Sequence, residues 1–237
     1  MKNKNILGHL QIVVSSSLFG LMPLITKMAY SYGATPITVA FCRCFYATII
    51  LALMLPFMKK NIFSIERKQI VPMLKIAIPF GLIPVTLFIA YTYLDSGMAT
   101  ILFYTHPIFV MVLSILMYHA FPSKKQILCM ILCLAGIVLL NAIQGEIKVI
   151  GIAFAILAGF IYSIYVIACG QKGIEEIDPA VLSFWSNLFA AIAVSIIGIA
   201  TRQLMIVTEP MGQLSMFVLA LLVSVIAVLL FQHGVLV

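Results

Sequence analysis

Acidic residues are scarce in this chain and absent before Glu66: Asp and Glu number seven in 237 residues, and all charged residues together make up 9%. Soluble globular chains carry roughly 25% charged residues. A chain this poor in charge cannot cover a water-facing surface, which excludes a soluble domain and leaves lipid as its solvent. Catalytic machinery is missing too. There is no glycine-rich nucleotide loop, no Ser/His/Asp arrangement outside the apolar runs, and no loop large enough to house one. No enzyme activity, cofactor or metal is expected. The five cysteines (Cys42, Cys44, Cys129, Cys133 and Cys169) fall inside apolar runs and form no CxxC pair. Cys129 and Cys133 are four apart on one expected helix, but no nearby His or carboxylate completes a tetrahedral set. They read as small hydrophobes in helix contacts.

What is present is apolar: 64% of the residues are hydrophobic and the mean hydropathy is +1.20. A membrane helix needs about 20 mostly apolar residues. Runs of that kind lie at 8–31, 36–57, 71–94, 97–120, 125–142, 149–169, 180–200 and 213–236. The fold class expected is therefore all-α, a polytopic membrane protein of eight transmembrane helices in the lipid bilayer. The net charge of +7 does not point to nucleic acid, because the basic residues sit in short clusters between the apolar runs. The N-terminal Met1–Asn5 segment looks like a signal-peptide n-region, but the run after it is too long for an h-region and no cleavage site follows. It reads as an uncleaved first span.

Lys and Arg set the orientation. With the N-terminus cytoplasmic, Lys2, Lys4, Lys59, Lys60, Arg67, Lys68, Lys124, Lys125 and Lys172 lie inside, against Lys148 and Arg202 outside. The localisation expected is a bacterial-type inner cell membrane.

The sequence also repeats itself. A shift of 143 residues without a gap carries Gly8 onto Gly151, Ser16 onto Gly159, Gly20 onto Ser163, Pro36 onto Pro179, Phe41 onto Phe184, Ala47 onto Ala190 and Phe88 onto Phe231. Ser16 and Gly20 share one helical face, as do Ala155, Gly159 and Ser163, and small-xxx-small spacing lets membrane helices approach closely. The period covers five spans. Because five is odd, the second unit starts from the opposite side of the membrane, and such inverted repeats build many secondary transporters. Two units are expected, 1–145 and 149–237, the second holding its first three helices only.

Several motifs resemble the drug/metabolite transporter superfamily, specifically EamA-type ten-helix exporters. They are Leu18-Phe19-Gly20 leading to Lys27, Pro36 followed by Ala40–Phe45 with Arg43, Ser96–Pro107, and Ala135–Leu140. The resemblance spans essentially the whole chain. It implies alternating-access transport, with the Tyr104–Pro107 segment facing a central cavity. The chain departs from the family pattern where Tyr118-His119-Ala120-Phe121 stands in place of a common Glu, and in having no counterpart of the ninth and tenth helices. A small multidrug-resistance type pump is disfavoured, since those depend on a Glu in the first helix.

Ionisable groups inside a bilayer are costly and so mark functional candidates. Arg43 lies seven residues past Pro36, about 10 Å below the boundary. It is placed to pair with a substrate carboxylate or phosphate; the plainer reading is a bond to helix-end carbonyls or to Asp95. Lys27 is a second substrate-binding candidate through its match to the family lysine, or else a snorkelling anchor. His106 could relay protons or simply pack. Asp95 is a proton-coupling candidate in a setting that also reads as a turn. Tyr104, with Tyr91 and Tyr93, lines a cavity or sits in the interfacial belt. Pro23, Pro79, Pro84 and Pro107 kink their spans.

These residues point to a secondary transporter, an exporter of small metabolites such as amino acids or related organic solutes. The alternative is a truncated, non-transporting remnant of one. ATP-driven transport would need another subunit. A homodimer would cover a cavity wall left open.

Overall fold

In a computed structural model, residues 2–62, 64–65, 67–119, 121–141, 148–169 and 177–230 are described. Lys172, Glu175, Glu176 and Phe231 lie outside this set, as do the side chains of Cys129 and Cys133. The described residues form ten α-helices and one π-helical stretch: α1 (Lys2–Gly20), α2 (Met22–Ser31), α3 (Pro36–Phe57), α4 (Arg67–Tyr93), α5 (Ser96–Phe103), α6 (His106–Tyr118), α7 (Lys124–Asn141), α8 (Val149–Cys169), α9 (Pro179–Ala200), α10 (Pro210–Leu219) and the π-helical Ala220–Ala227. Among the described residues, seven stretches are long and apolar enough to cross a membrane: Gly8–Ser31, Pro36–Phe57, Lys68–Tyr93, Ser96–Tyr118, Val149–Cys169, Pro179–Ala200 and Pro210–Leu230. The 18-residue α7 occupies the fifth expected run. The chain is an all-α polytopic membrane protein.

Helix starts follow local chemistry. Thr35, Asp95 and Asp178 cap α3, α5 and α9 by accepting from the backbone N–H of Thr38, Gly97 and Ala180. Pro36, Pro179 and Pro210 open their helices, where a missing N–H costs nothing. Two helix ends match in detail. Past α3, Lys59 adopts φ 56° and the N–H groups of Lys59 and Lys60 bond to the carbonyls of Pro56 and Leu55. Past α9, Arg202 adopts φ 55° and the N–H groups of Arg202 and Gln203 bond to Ile199 and Gly198. Both are Schellman caps, and Lys59 and Arg202 are related by the same 143-residue shift.

Two expected spans are not continuous. The first divides at Leu21, just before Pro23, and the fourth divides at Tyr104-Thr105, just before Pro107. A proline cannot bond to the carbonyl four residues back, and its ring crowds that carbonyl. By contrast, α4 runs unbroken through Pro72, Pro79 and Pro84. The eighth span changes to π-helix at Ala220, which hydropathy alone does not reveal; the Ser15 hydroxyl donates to the Ala227 carbonyl at 2.7 Å. Helix α4 is central, packing on α8, α9 and α3. Helix α3 packs along α9, while α10 and the π-helical stretch pack on α2, α1 and α3.

Close approach depends on small residues. A Cβ added at Gly159 would sit 2.9 Å from the Phe103 carbonyl oxygen, the one freed by Pro107. Thus the break between α5 and α6 is seated on the small-residue face of α8, where Ala155, Gly159 and Ser163 are buried. Gly81 of α4 similarly meets Ala190 of α9, 3.1 Å from a would-be Cβ.

Candidate functional site

Arg43 sits on α3 with 7% of its surface exposed, and it is the charged member of the buried residues among those described. Its guanidinium carbon lies 5.4 Å from the ring centroid of Phe80 on α4. Its Nη2 approaches the Cys44 sulfur at 3.9 Å, a weak contact, and its buried Nε has no hydrogen-bond partner. The helix-end carbonyls and the Asp95 carboxylate expected as its plain partners are not what it meets. Desolvating a guanidinium is costly unless it is paired. A cation over a desolvated ring recovers about 2 kcal/mol, which leaves the site short of a counter-charge.

Asp95 is instead engaged elsewhere. Its carboxylate accepts from the Gly97 N–H at 2.9 Å and lies 3.6 Å from the Lys27 ammonium. Both side chains are largely exposed, at 41% and 61%, so the pair contributes only about 0.2–1 kcal/mol. The two candidates therefore meet each other at one mouth of the bundle, where α2 and α5 converge, and neither meets Arg43.

His106 opens α6 after the helix break, with a buried Nδ1 that has no partner. Its ring lies 4.5 Å from Tyr162 of α8 and 6.1 Å from Tyr104. Tyr104 is 51% exposed, touching Phe103 and His106 at the edge of this group. Tyr91 is not a cavity wall: it is 3% exposed, and its hydroxyl lies 2.9 Å from that of Thr100, tying α4 to α5. Asn187 donates to the Ser183 carbonyl of its own helix at 2.8 Å rather than across helices.

What joins Arg43 to His106 is a row of rings that spacing along the chain does not expose. Phe80 lies 5.7 Å from Tyr165, Tyr165 lies 5.8 Å from Tyr162, and Tyr162 reaches His106. Tyr162 and Tyr165 stand three apart on α8, flanking the small residue Ser163. That i, i+3 aromatic pair was the available signal. Phe80, His106, Tyr162 and Tyr165 are each partly exposed. The arrangement offers one fixed positive charge, an apolar aromatic row, and no carboxylate within ion-pair distance of Arg43 among the described residues. Chemically it can hold an anion.

Comparison with curated proteins and with solved structures returned no match. A family model does match, over residues 6–142, from the first span through α7 and including Lys27, Arg43, Asp95, Tyr104 and His106. The match covers more than half of the chain, which therefore belongs to the EamA-like transporter family, membrane transporters of the drug/metabolite type.

Proposed function

We propose that this chain is a secondary transporter that exports small organic solutes bearing a carboxylate across the cell membrane by alternating access. The observation that carries this reading is Arg43, a buried cation whose Nε has no partner. A charge kept in a low-dielectric site without a counter-ion is a functional candidate by default. A planar guanidinium suits a carboxylate bidentately. Tyr104 and His106 form the far wall, and the Lys27–Asp95 pair guards the mouth, with Asp95 the candidate for coupling.

Alternating access is supported by the internal relationship between the two halves. Helices α3 and α9 both have 22 residues, and their Schellman caps keep the same offset. The contacts at their ends keep it as well. The Lys60 ammonium donates to Asp178 at 2.6 Å, and Thr35 donates to the Gln203 carbonyl at 2.6 Å. Adding 143 to 35 gives 178 and to 60 gives 203, so one contact maps onto the other. Such a pseudo-two-fold relation is the architecture that places a substrate between repeats. The Lys/Arg distribution favours a cytoplasmic N-terminus.

The test is solute flux. The purified chain is reconstituted in proteoliposomes loaded with a panel of radiolabelled carboxylates, with and without a proton gradient. Counterflow or efflux of at least one carboxylate is expected, falling at least about 30-fold in Arg43→Gln. Wild-type flux in a folded Arg43→Gln variant removes the anion-anchor assignment, and no flux for any member removes the transport reading.

A further inference from the structure

We infer that the Arg43 site takes a planar aromatic monocarboxylate that carries no ammonium group. This rests on the transport reading for the site's purpose, though not for its chemistry. The carboxylate lies against the guanidinium, and the ring lies along the row that runs from Phe80 through Tyr165 and Tyr162 to His106.

Three observations select this class. First, the cationic charge is single. Arg43 is the buried charged residue among those described, so a monoanion neutralises the site, whereas a dianion such as a phosphate monoester would bring one uncompensated charge into low dielectric. Second, among the described residues no acid is placed to receive an ammonium. The two ion pairs among the described residues, Lys27–Asp95 and Lys60–Asp178, use their carboxylates at the ends of the bundle. An α-amino acid would therefore leave its ammonium unpaired beside a like charge.

Third, the lining is aromatic. The Phe80–Tyr165, Tyr162–Tyr165 and His106–Tyr162 pairs are tilted at 42°, 46° and 46°, and none is stacked in parallel. A flat guest can add offset or edge contacts to such rings, and each is worth up to about ten-fold in affinity.

The experiment is equilibrium binding of radiolabelled 3-phenylpropanoate to the full chain in lipid nanodiscs, with competition by hexanoate, phenylalanine and phenethylamine. Saturable binding is expected, with hexanoate and phenylalanine each about ten-fold weaker and phenethylamine not competing. Tyr162→Leu should abolish the preference over hexanoate while keeping carboxylate binding, and Arg43→Gln should weaken all carboxylates at least about 30-fold. Should Arg43→Gln fail to fold, Tyr162→Leu and Phe80→Leu still decide. Equal competition by hexanoate or by phenylalanine overturns the proposal, as does a Tyr162→Leu variant with unaltered preference, or no saturable binding at millimolar ligand. Flux is read separately in proteoliposomes. Binding without flux sinks the transport reading and leaves the site; flux of carboxylates without an aromatic preference does the reverse.

Discussion

Helices α1 and α8 carry small residues in the same register and meet opposite surroundings. On α8, Gly151, Ala155, Gly159 and Ser163 are all buried, with the end of α4 and the break between α5 and α6 pressed onto them. On α1, Gly8, which matches Gly151, is also buried, but Ser16 and Gly20, which match Gly159 and Ser163, are exposed, and a Cβ built at Gly20 would meet nothing within 4 Å. Small residues permit close approach of membrane helices without producing it. What fills the space on α8 is a second segment whose own backbone has been bent by Pro107 to fit there. The small-residue spacing is a licence, and the packing partner decides whether it is used.

The largest effect should come from filling the used face. Gly159→Val places atoms within 2.9 Å of the Phe103 backbone oxygen, where no flexible side chain can give way. A loss of about 2–3 kcal/mol is expected, read as a large fall in thermal unfolding temperature in detergent, together with altered accessibility of a probe at His106. Gly20→Val should change stability by less than about 0.5 kcal/mol. Comparable losses at both positions would break the comparison, since they would mean that α1 is also covered. Gly151→Ala sharpens it further. There a Cβ would meet Leu94 Cγ at 2.5 Å and Tyr93 Cβ at 2.8 Å, atoms held at or next to the backbone, so even this single methyl should cost about 1–3 kcal/mol.

A second pair of regions, the two ends of the α3/α9 contact, should respond more weakly. One end is closed by the Lys60–Asp178 ion pair and by the Trp185 indole donating to the Ile62 carbonyl at 2.9 Å. The other is closed by neutral bonds: the Met205 N–H donates to Thr38 at 2.9 Å, and the Thr35 hydroxyl donates to Gln203. Asp178→Asn and Thr38→Val should each cost about 1 kcal/mol. Only the former difference should shrink in high salt, because screening acts on the charged end alone. An equal salt response at both ends would contradict this.

The charged end also titrates. Burial pushes the Asp178 carboxyl upward, but the hydrogen bond from Lys60 and those from the Ala180 and Val181 backbone outweigh it, and the net shift is below the ordinary value. A carboxyl held lower in the folded state than in the unfolded one stabilises the fold above the unfolded pKa, near about 4. That stabilisation disappears as pH falls through the lowered folded value. Wild-type and Asp178→Asn unfolding temperatures should differ at neutral pH and converge in strong acid. The smallest effect is local: Lys59→Gly and Arg202→Gly relieve left-handed backbone and should stabilise by up to about 1 kcal/mol each. Destabilisation by either would mean that its side chain does more than occupy the cap.

Much of the architecture was legible because the bilayer makes it a local problem. Backbone groups in lipid must bond within their own segment, so apolar run length locates helices almost one by one, and Pro36 and Pro179 mark their starts. The breaks at Leu21 and Tyr104 were only half legible. Proline supplies the opportunity at Pro23 and Pro107, but Pro79 and Pro84 offer the same and α4 stays continuous where α8 and α9 hold it. The π-helical stretch has no proline and left no mark in hydropathy.

At the site, a charge in the middle of a span was enough to single out Arg43, because the cost of burying it does not depend on neighbours. The identity of those neighbours does. Phe80 and Tyr165 lie 37 and 122 residues beyond Arg43 (80 − 43 and 165 − 43), and their meeting depends on how α4 and α8 rotate against α3. The pairing of Lys27 with Asp95 is likewise a product of α2 meeting α5. Composition and periodicity determined that this chain is a helical membrane protein with a cation inside one of its apolar runs. Tertiary packing alone decided that the cation faces an aromatic row and not an acid, because side-chain directions across helices are set by contacts between residues far apart in the chain.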